Sequence, residues 1–327
     1  MITISESIGS KVLLITASHT GNNIFCTPAI KFLKKHYPNT IFDVLAFNKL
    51  SAEVFKENPS INKLIVSNKS RVINKLARNY SQVICLHNKA REMISGLNPN
   101  FITAPDFIPN VHHAEQILQY VAGSINKEIT DEDRAYAIAG KTNSKHLVLD
   151  DFNVKSHDIL VCMHLGCGRT KTHGWKFFHS SARTHKKLLP IKTYIDLANE
   201  LVKFNSNIRF VITGTKNENF LAKEFVKNVP NAIDLTAKTS VSELFNLMDK
   251  FSLFISQDCG VMHIASASNV SLLGLFGPTN PIMTGPYPVK YNQKIIKEES
   301  MSDIKMTEVV VAALKLLNIS PKFELLA

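Results

Sequence analysis

The run from Leu253 to Pro288 limits the fold of this chain more tightly than any other stretch. Leu253-Phe254-Ile255 is apolar and of the length of a buried strand, and the polar turn Ser256-Gln257-Asp258-Cys259-Gly260 follows it. The spacing predicts a short helix from about Val261 to Ser268. A second apolar run, Leu272-Leu273-Gly274-Leu275-Phe276, reads as the next strand and ends in Gly277-Pro278-Thr279. Strand, turn, helix and strand in that order build a parallel sheet covered by helices. In such sheets the loops at the carboxyl ends of the strands line the ligand crevice. Asp258 stands just before a helix N-terminus, where free backbone N–H groups and the helix dipole favour a phosphate. His263, one turn into the helix, can add a donor to the same anion. Taken singly, Asp258 serves equally well as a cap and His263 as a packed core residue.

The same pattern opens the chain. Lys11–Thr16 reads as a buried parallel strand, followed by the loop 17–23 and a helix from about Ile24 to His36. Pro28 is then expected in the first turn, where a missing N–H costs little. Strands are expected at Ile41–Ala46, Lys63–Val66 and Gln82–Leu86, and an amphipathic helix at Val111–Val121. The adjacent His112 and His113 fall on different faces of that helix, which argues against a shared metal; one of them is expected at a domain interface or an acceptor cleft. Gly140 to His157 is polar and broken and reads as the interdomain connection, giving domains 1–150 and 151–327. The second domain continues with a strand at Asp158–Met163, a helix at Ile191–Phe204, strands at Ile208–Thr213 and Ala232–Leu235, and helices at Val241–Lys250 and Glu308–Leu317.

Composition narrows the function. At 327 residues the chain has room for about two domains, and 45% hydrophobic residues suffice for full cores. No apolar run approaches the ~20 residues needed to cross a bilayer. The N-terminus lacks a basic segment before a long apolar one, so it reads as a first strand and not as a signal peptide. Five cysteines, Cys26, Cys85, Cys162, Cys167 and Cys259, form no CxxC pair and point to a reducing cytoplasm without a zinc site. No GxGxxG follows the first strand, which disfavours a dehydrogenase. The formal net charge of +11 calls for an anionic partner. No nucleic-acid-binding motif is present, so the expected partners are a phosphorylated substrate and an acidic membrane surface.

The signature Ser256-Gln257-Asp258-Cys259-Gly260-Val261-Met262-His263-Ile264-Ala265-Ser266-Ala267, followed by Phe276-Gly277-Pro278-Thr279-Asn280-Pro281, resembles that of glycosyltransferase family 9, the ADP-heptose:lipopolysaccharide heptosyltransferases. Gly21-Asn22-Asn23-Ile24-Phe25-Cys26-Thr27-Pro28-Ala29-Ile30 is similar to the family's first loop. His164-Leu165-Gly166-Cys167-Gly168 resembles its H-P-G-(A/T)-(S/T) turn, with Leu165 for the usual proline. Lys187-Leu188-Leu189-Pro190 resembles its K-x-W-P element, with Lys186 as a shifted alternative. Thr236-Ala237-Lys238-Thr239-Ser240 resembles its G-K-T-S turn.

The resemblance implies an α/β GT-B fold, two doubly wound Rossmann-like domains facing a central cleft, with the last helix returning to the N-terminal domain. It implies an inverting transfer of heptose or a related sugar from an ADP-sugar to the lipopolysaccharide inner core. No cofactor or metal is implied, and no Asp-x-Asp ion site is visible. Binding of the nucleotide sugar falls to Gly166, Cys167, Lys187, Glu218, Lys238, Asp258, Cys259, Gly260 and His263. Among these, Lys187 and His263 would meet the diphosphate, Glu218 the ribose and Asp258 the sugar hydroxyls; Lys238 would lie by the base. Where the family places a catalytic aspartate this chain has Asn22, and an amide cannot accept a proton at neutral pH. Either His19, in the same loop, serves as the base, or deprotonation is less demanding, or the protein is a weak or inactive homologue; a transferase for another nucleotide sugar and an epimerase of the same fold are separate alternatives. The segment Arg169–Lys187 holds six Lys/Arg, three His and no acid. With Trp175, Phe177 and Phe178 it is expected to grip acceptor phosphates or anionic lipid at the inner face of the inner membrane.

Overall fold

A computed structural model describes residues 10–88, 90, 101–102, 108–140, 148–168, 170 and 186–320. The chain divides into two compact units, residues 1–142 and 143–327. The first is built on β1 (Lys11–Ile15), β2 (Ile41–Ala46), β3 (Lys63–Val66), β4 (Gln82–Cys85) and β5 (Phe101–Ile102). These strands are parallel, in the order β3-β2-β1-β4-β5. Continuous apolar runs form the three central strands because both of their faces are covered; Val12 to Ile15, Val44 to Ala46 and Ile84 to Cys85 are fully buried. Asp43 is the exception in β2, and its carboxylate accepts from Asn62 Nδ2 (2.8 Å) and the Tyr80 hydroxyl (2.7 Å).

Helix α1 (Thr20–His36) begins four residues earlier than its apolar pattern suggests. His19 is extended and the Asn23 N–H reaches the His19 carbonyl at 3.0 Å, so the ladder starts there. Pro28 therefore lies in the helix interior and not in the first turn. Its lack of an N–H would orphan the Ile24 carbonyl, but the Thr27 hydroxyl donates to that oxygen at 2.8 Å. The same hydroxyl oxygen accepts from the Ala137 N–H at 3.0 Å, tying α1 to the segment that closes the unit. Helix α2 (Lys49–Ala52) follows β2 and α3 (Ser70–Ala77) follows β3. Helix α4 (His113–Ser124) packs on α1. His112 caps α4 by accepting from the Ala114 N–H, and both histidine rings meet the edge of Phe25.

The second unit carries β6 (Ile159–His164), β7 (Ile208–Thr213), β8 (Ile233–Asp234), β9 (Leu253–Gln257), β10 (Ser271–Phe276) and β11 (Gln293–Lys297), all parallel in the order β11-β10-β9-β6-β7-β8. Between them run α5 (Ile191–Phe204), α6 (Asn219–Asn228), α7 (Val241–Met248), α8 (Gly260–Ala267), the short α9 (Pro281–Thr284) and α10 (Met306–Leu316). Tyr194, Leu197, Ala198 and Leu201 of α5 join Val309, Val310, Ala313 and Leu314 of α10 in one core over this sheet. The apolar face of α10 is thus used up on α5, β10 and β11.

Candidate active site

In the second sheet the strand order reverses between β6 and β9, and ligands of open parallel sheets bind beyond the carboxyl ends at such a point. His164 pairs with Ser256 in the register, so the turns that follow β6 and β9 leave the sheet side by side. Both turns carry residues expected from the sequence to bind the ligand.

After β9, Asp258 is 8% exposed and Lys187 Nζ lies 2.6 Å from its Oδ2. Lys186 is exposed, so of the two candidate lysines it is Lys187 that reaches the turn. Helix α8 starts at once, with Cys259 at its N-cap and no acidic residue in its first turn. Its first N–H groups, those of Val261 and Met262, face the weakly accepting Cys259 sulfur. Burial pushes the Cys259 thiol up to about 12, so it is neutral at pH 7 and adds no charge against an anion. At the other end of α8 the Lys290 ammonium donates to the Ser266 and Ser268 carbonyls at 2.8 and 2.6 Å. Positive N–H groups face the crevice end while a cation satisfies the carbonyl end. His263 is buried within the unit, 2% exposed.

After β6, Gly166 abuts Glu218 so closely that a Cβ there would stand 2.0 Å from Glu218 Oε1. Glycine is required because the carboxylate occupies that space. Glu218 is 5% exposed; its Oε2 accepts from the Thr215 N–H (2.6 Å) and hydroxyl (2.9 Å), and its Oε1 lies 3.5 Å from His164 Nε2. Burial opposes ionisation of this carboxyl, but His164 and the Thr215 donors outweigh it and hold the acid below its usual range. The Cys167 N–H donates to the Thr170 hydroxyl at 3.0 Å, so that amide is engaged within its own turn. Lys238 is exposed and stands over the Phe152 ring, 4.7 Å from its centre, in the turn after the edge strand β8. Apart from Lys187 and Thr170, the segment 169–187 lies outside the described residues or, for Lys186, in solvent.

In the first sheet the order reverses between β1 and β4, and α1 starts beyond β1. Asn22 is half-buried in the first turn of α1, which contains no acid. His19 is exposed, with its Nδ1 3.0 Å from Ser18 Oγ. The neighbouring Asn23, to which sequence assigned no role, is fully buried. Its side-chain oxygen accepts from the Ala17 N–H and its amide donates to the Ser51 carbonyl, both at 2.8 Å, which fixes the loop carrying His19 and Asn22. Gln257, buried between the two turns of the second unit, also escaped notice, because a lone amide at a strand end leaves no periodic signal. Among the described residues no group of three or more His, Cys, Asp or Glu side chains is placed to hold a metal ion.

Residues 110–313 match the model of glycosyltransferase family 9 (heptosyltransferase). The chain belongs to glycosyltransferase family 9. It is a glycosyltransferase, and its two doubly wound units are the Rossmann-like halves of the GT-B fold. It is 25% identical to lipopolysaccharide heptosyltransferase 3 of Escherichia coli over 296 residues, covering 82% of this chain and 83% of that protein. The family 9 glycosyl transferase of Veillonella parvula has the same fold, with a TM-score of 0.76 at 19% identity over 96% of this chain and 99% of that one. The E. coli heptosyltransferase WaaC, solved with ADP-2-deoxy-2-fluoro heptose, superposes with a TM-score of 0.63 at 15% identity, over 94% and 99% of the two chains.

Proposed function

We propose that this family 9 glycosyltransferase transfers heptose from ADP-heptose to the inner core of lipopolysaccharide, at the cytoplasmic face of the inner membrane. The observation that carries the donor half is the Lys187–Asp258 pair, 2.6 Å apart, beside the N-terminus of α8, whose N-cap residue, Cys259, offers no oxygen. A nucleotide diphosphate leaving group gains negative charge as the glycosidic bond breaks, so fixed positive groups at that point accelerate the step. Lys187 and the N–H groups at Cys259-Gly260 supply them, with His263 behind. Asp258 orients the sugar hydroxyls, Gly166 and Cys167 shape the phosphate turn, Glu218 stands at the ribose and Lys238 at the base. Positive charge from the protein replaces a metal ion. The relative solved with an ADP-heptose analogue supports the choice of donor, and the +11 charge supports a phosphorylated glycolipid acceptor on an anionic surface.

Inversion requires the acceptor hydroxyl to attack the anomeric carbon opposite ADP and to lose its proton as the new bond forms. Asn22 can orient that hydroxyl but cannot take the proton. The exposed imidazole of His19, in the same loop, takes it. The test is mass analysis of heptose-deficient lipopolysaccharide incubated with ADP-heptose and the purified protein: gain of one heptose supports the reading, and unchanged acceptor with intact ADP-heptose refutes it. Asn22 also favours a second reading, a sugar-nucleotide-binding homologue that has lost most of its turnover. It predicts donor binding without transfer, restored by Asn22→Asp.

A further inference from the structure

We infer that Gln257 is a positioning residue that locks the two turns of the donor site to each other, an inference that rests on the reading of that site given above. Gln257 ends β9, directly before Asp258, and is completely buried. Its Nε2 donates to the Leu165 carbonyl at 2.9 Å and to the Gly166 carbonyl at 2.6 Å. Its Oε1 accepts from the hydroxyl of Tyr194 on α5, which is itself completely buried. Both N–H donors of the amide and one acceptor site are therefore committed.

These bonds act on the orientation of two peptide groups. Each trans peptide points its N–H opposite to its carbonyl. Pinning the Leu165 and Gly166 carbonyls toward Gln257 therefore directs the Gly166 and Cys167 N–H groups away from it. The Cys167 N–H then meets the Thr170 hydroxyl, which closes the turn. Gly166 in turn lies against Glu218, with no room even for a Cβ, so a rotation of its peptide displaces that carboxylate. One side chain thus couples Asp258 and the start of α8 to Gly166 and Glu218. An apolar side chain of the same size fills the volume but leaves two buried carbonyls and the Tyr194 hydroxyl without these partners, so the turns are free to shift independently.

The test compares wild type, Gln257→Met, Gln257→Glu and Tyr194→Phe. Each is titrated calorimetrically with ADP, checked for its melting temperature, and followed by amide hydrogen exchange. Gln257→Met is expected to weaken ADP binding by about tenfold or more, equivalent to losing one good hydrogen-bonded contact. Exchange should quicken over residues 164–168 and 258–260 but not in β7 or β10. Tyr194→Phe keeps both carbonyl bonds and should stay within about threefold of wild type. Should Gln257→Met not fold, Gln257→Glu decides: a neutral carboxyl has one donor and a carboxylate none, so its ADP affinity must improve as pH falls. Wild-type affinity in Gln257→Met, or exchange that quickens evenly across the sheet with unchanged affinity, reduces Gln257 to a packing residue and overturns the inference. If wild type itself ignores ADP, the donor-site reading fails. Exchange at the two turns then still decides whether Gln257 couples them.

Discussion

Lys187 Nζ sits 2.6 Å from Asp258 Oδ2, joining a residue that precedes α5 to one that precedes α8 across the switch point of the second sheet. Asp258 thereby fixes the Lys187 ammonium beside a helix N-terminus. Lys187→Ala should lower kcat/KM for the donor about 100-fold, the usual size of a lost transition-state contact. The lysine side chain is 32% exposed, so solvent already screens the pair and the stability cost should stay near ~1 kcal/mol. Steady-state kinetics and thermal unfolding on the same preparation check both numbers. Unchanged kcat/KM would remove Lys187 from the site.

Asn22 stands in the first turn of a helix without an acid. Asn22→Asp places a carboxylate at the positive pole of α1 and should raise stability by about 0.3–1 kcal/mol. His19→Ala should lower turnover about 100-fold if the imidazole takes the acceptor proton. A large rate gain in Asn22→Asp together with no effect of His19→Ala would show instead that the native chain lacks its base.

The Glu218 carboxyl is held below its ordinary value of 4.5. A depressed folded value means that the stabilisation is fully present above about pH 4.5 and is lost as pH falls through the folded value. Glu218→Gln should therefore be less stable than wild type at pH 7, and the gap should close as pH falls below about 4.5. A gap that widens on acidification would contradict the assigned partners. Gly166→Ala should destabilise by about 1–3 kcal/mol, because the new methyl collides with the same carboxylate.

The proposed mechanism needs no metal ion. If Lys187 and the α8 N–H groups meet the diphosphate as proposed, EDTA should leave the transfer rate unchanged within about twofold. Loss of activity with EDTA, restored by Mg²⁺ or Mn²⁺, would refute it.

Much of the fold was legible because the apolar runs at Val12–Ile15, Val161–Met163 and Leu253–Ile255 can satisfy burial on both faces only as central parallel strands. The bounds expected for helix α5, about Ile191–Phe204, are those it has. The start of α1 could not be read, since Pro28 argues for a nearby N-terminus unless the Thr27 hydroxyl is known to take over the Ile24 carbonyl. In the site, the Asp258–Gly260 turn was visible from composition and order. The spacing of Thr215 and Glu218 is that of a capping box, which the structure contains. Its burial against Gly166, and the reach of Gln257 to a turn 91 residues away, depend on which strands become neighbours. That information lies in topology and not in any local pattern.

The most direct test of the central claim is calorimetric titration of the purified protein with ADP-heptose, set against UDP- and GDP-sugars. Binding that is selective for the ADP-sugar and lost in Asp258→Ala is the predicted result. No binding to any ADP-sugar, or a preference for a UDP-sugar, would keep the fold and contradict the donor assigned to it.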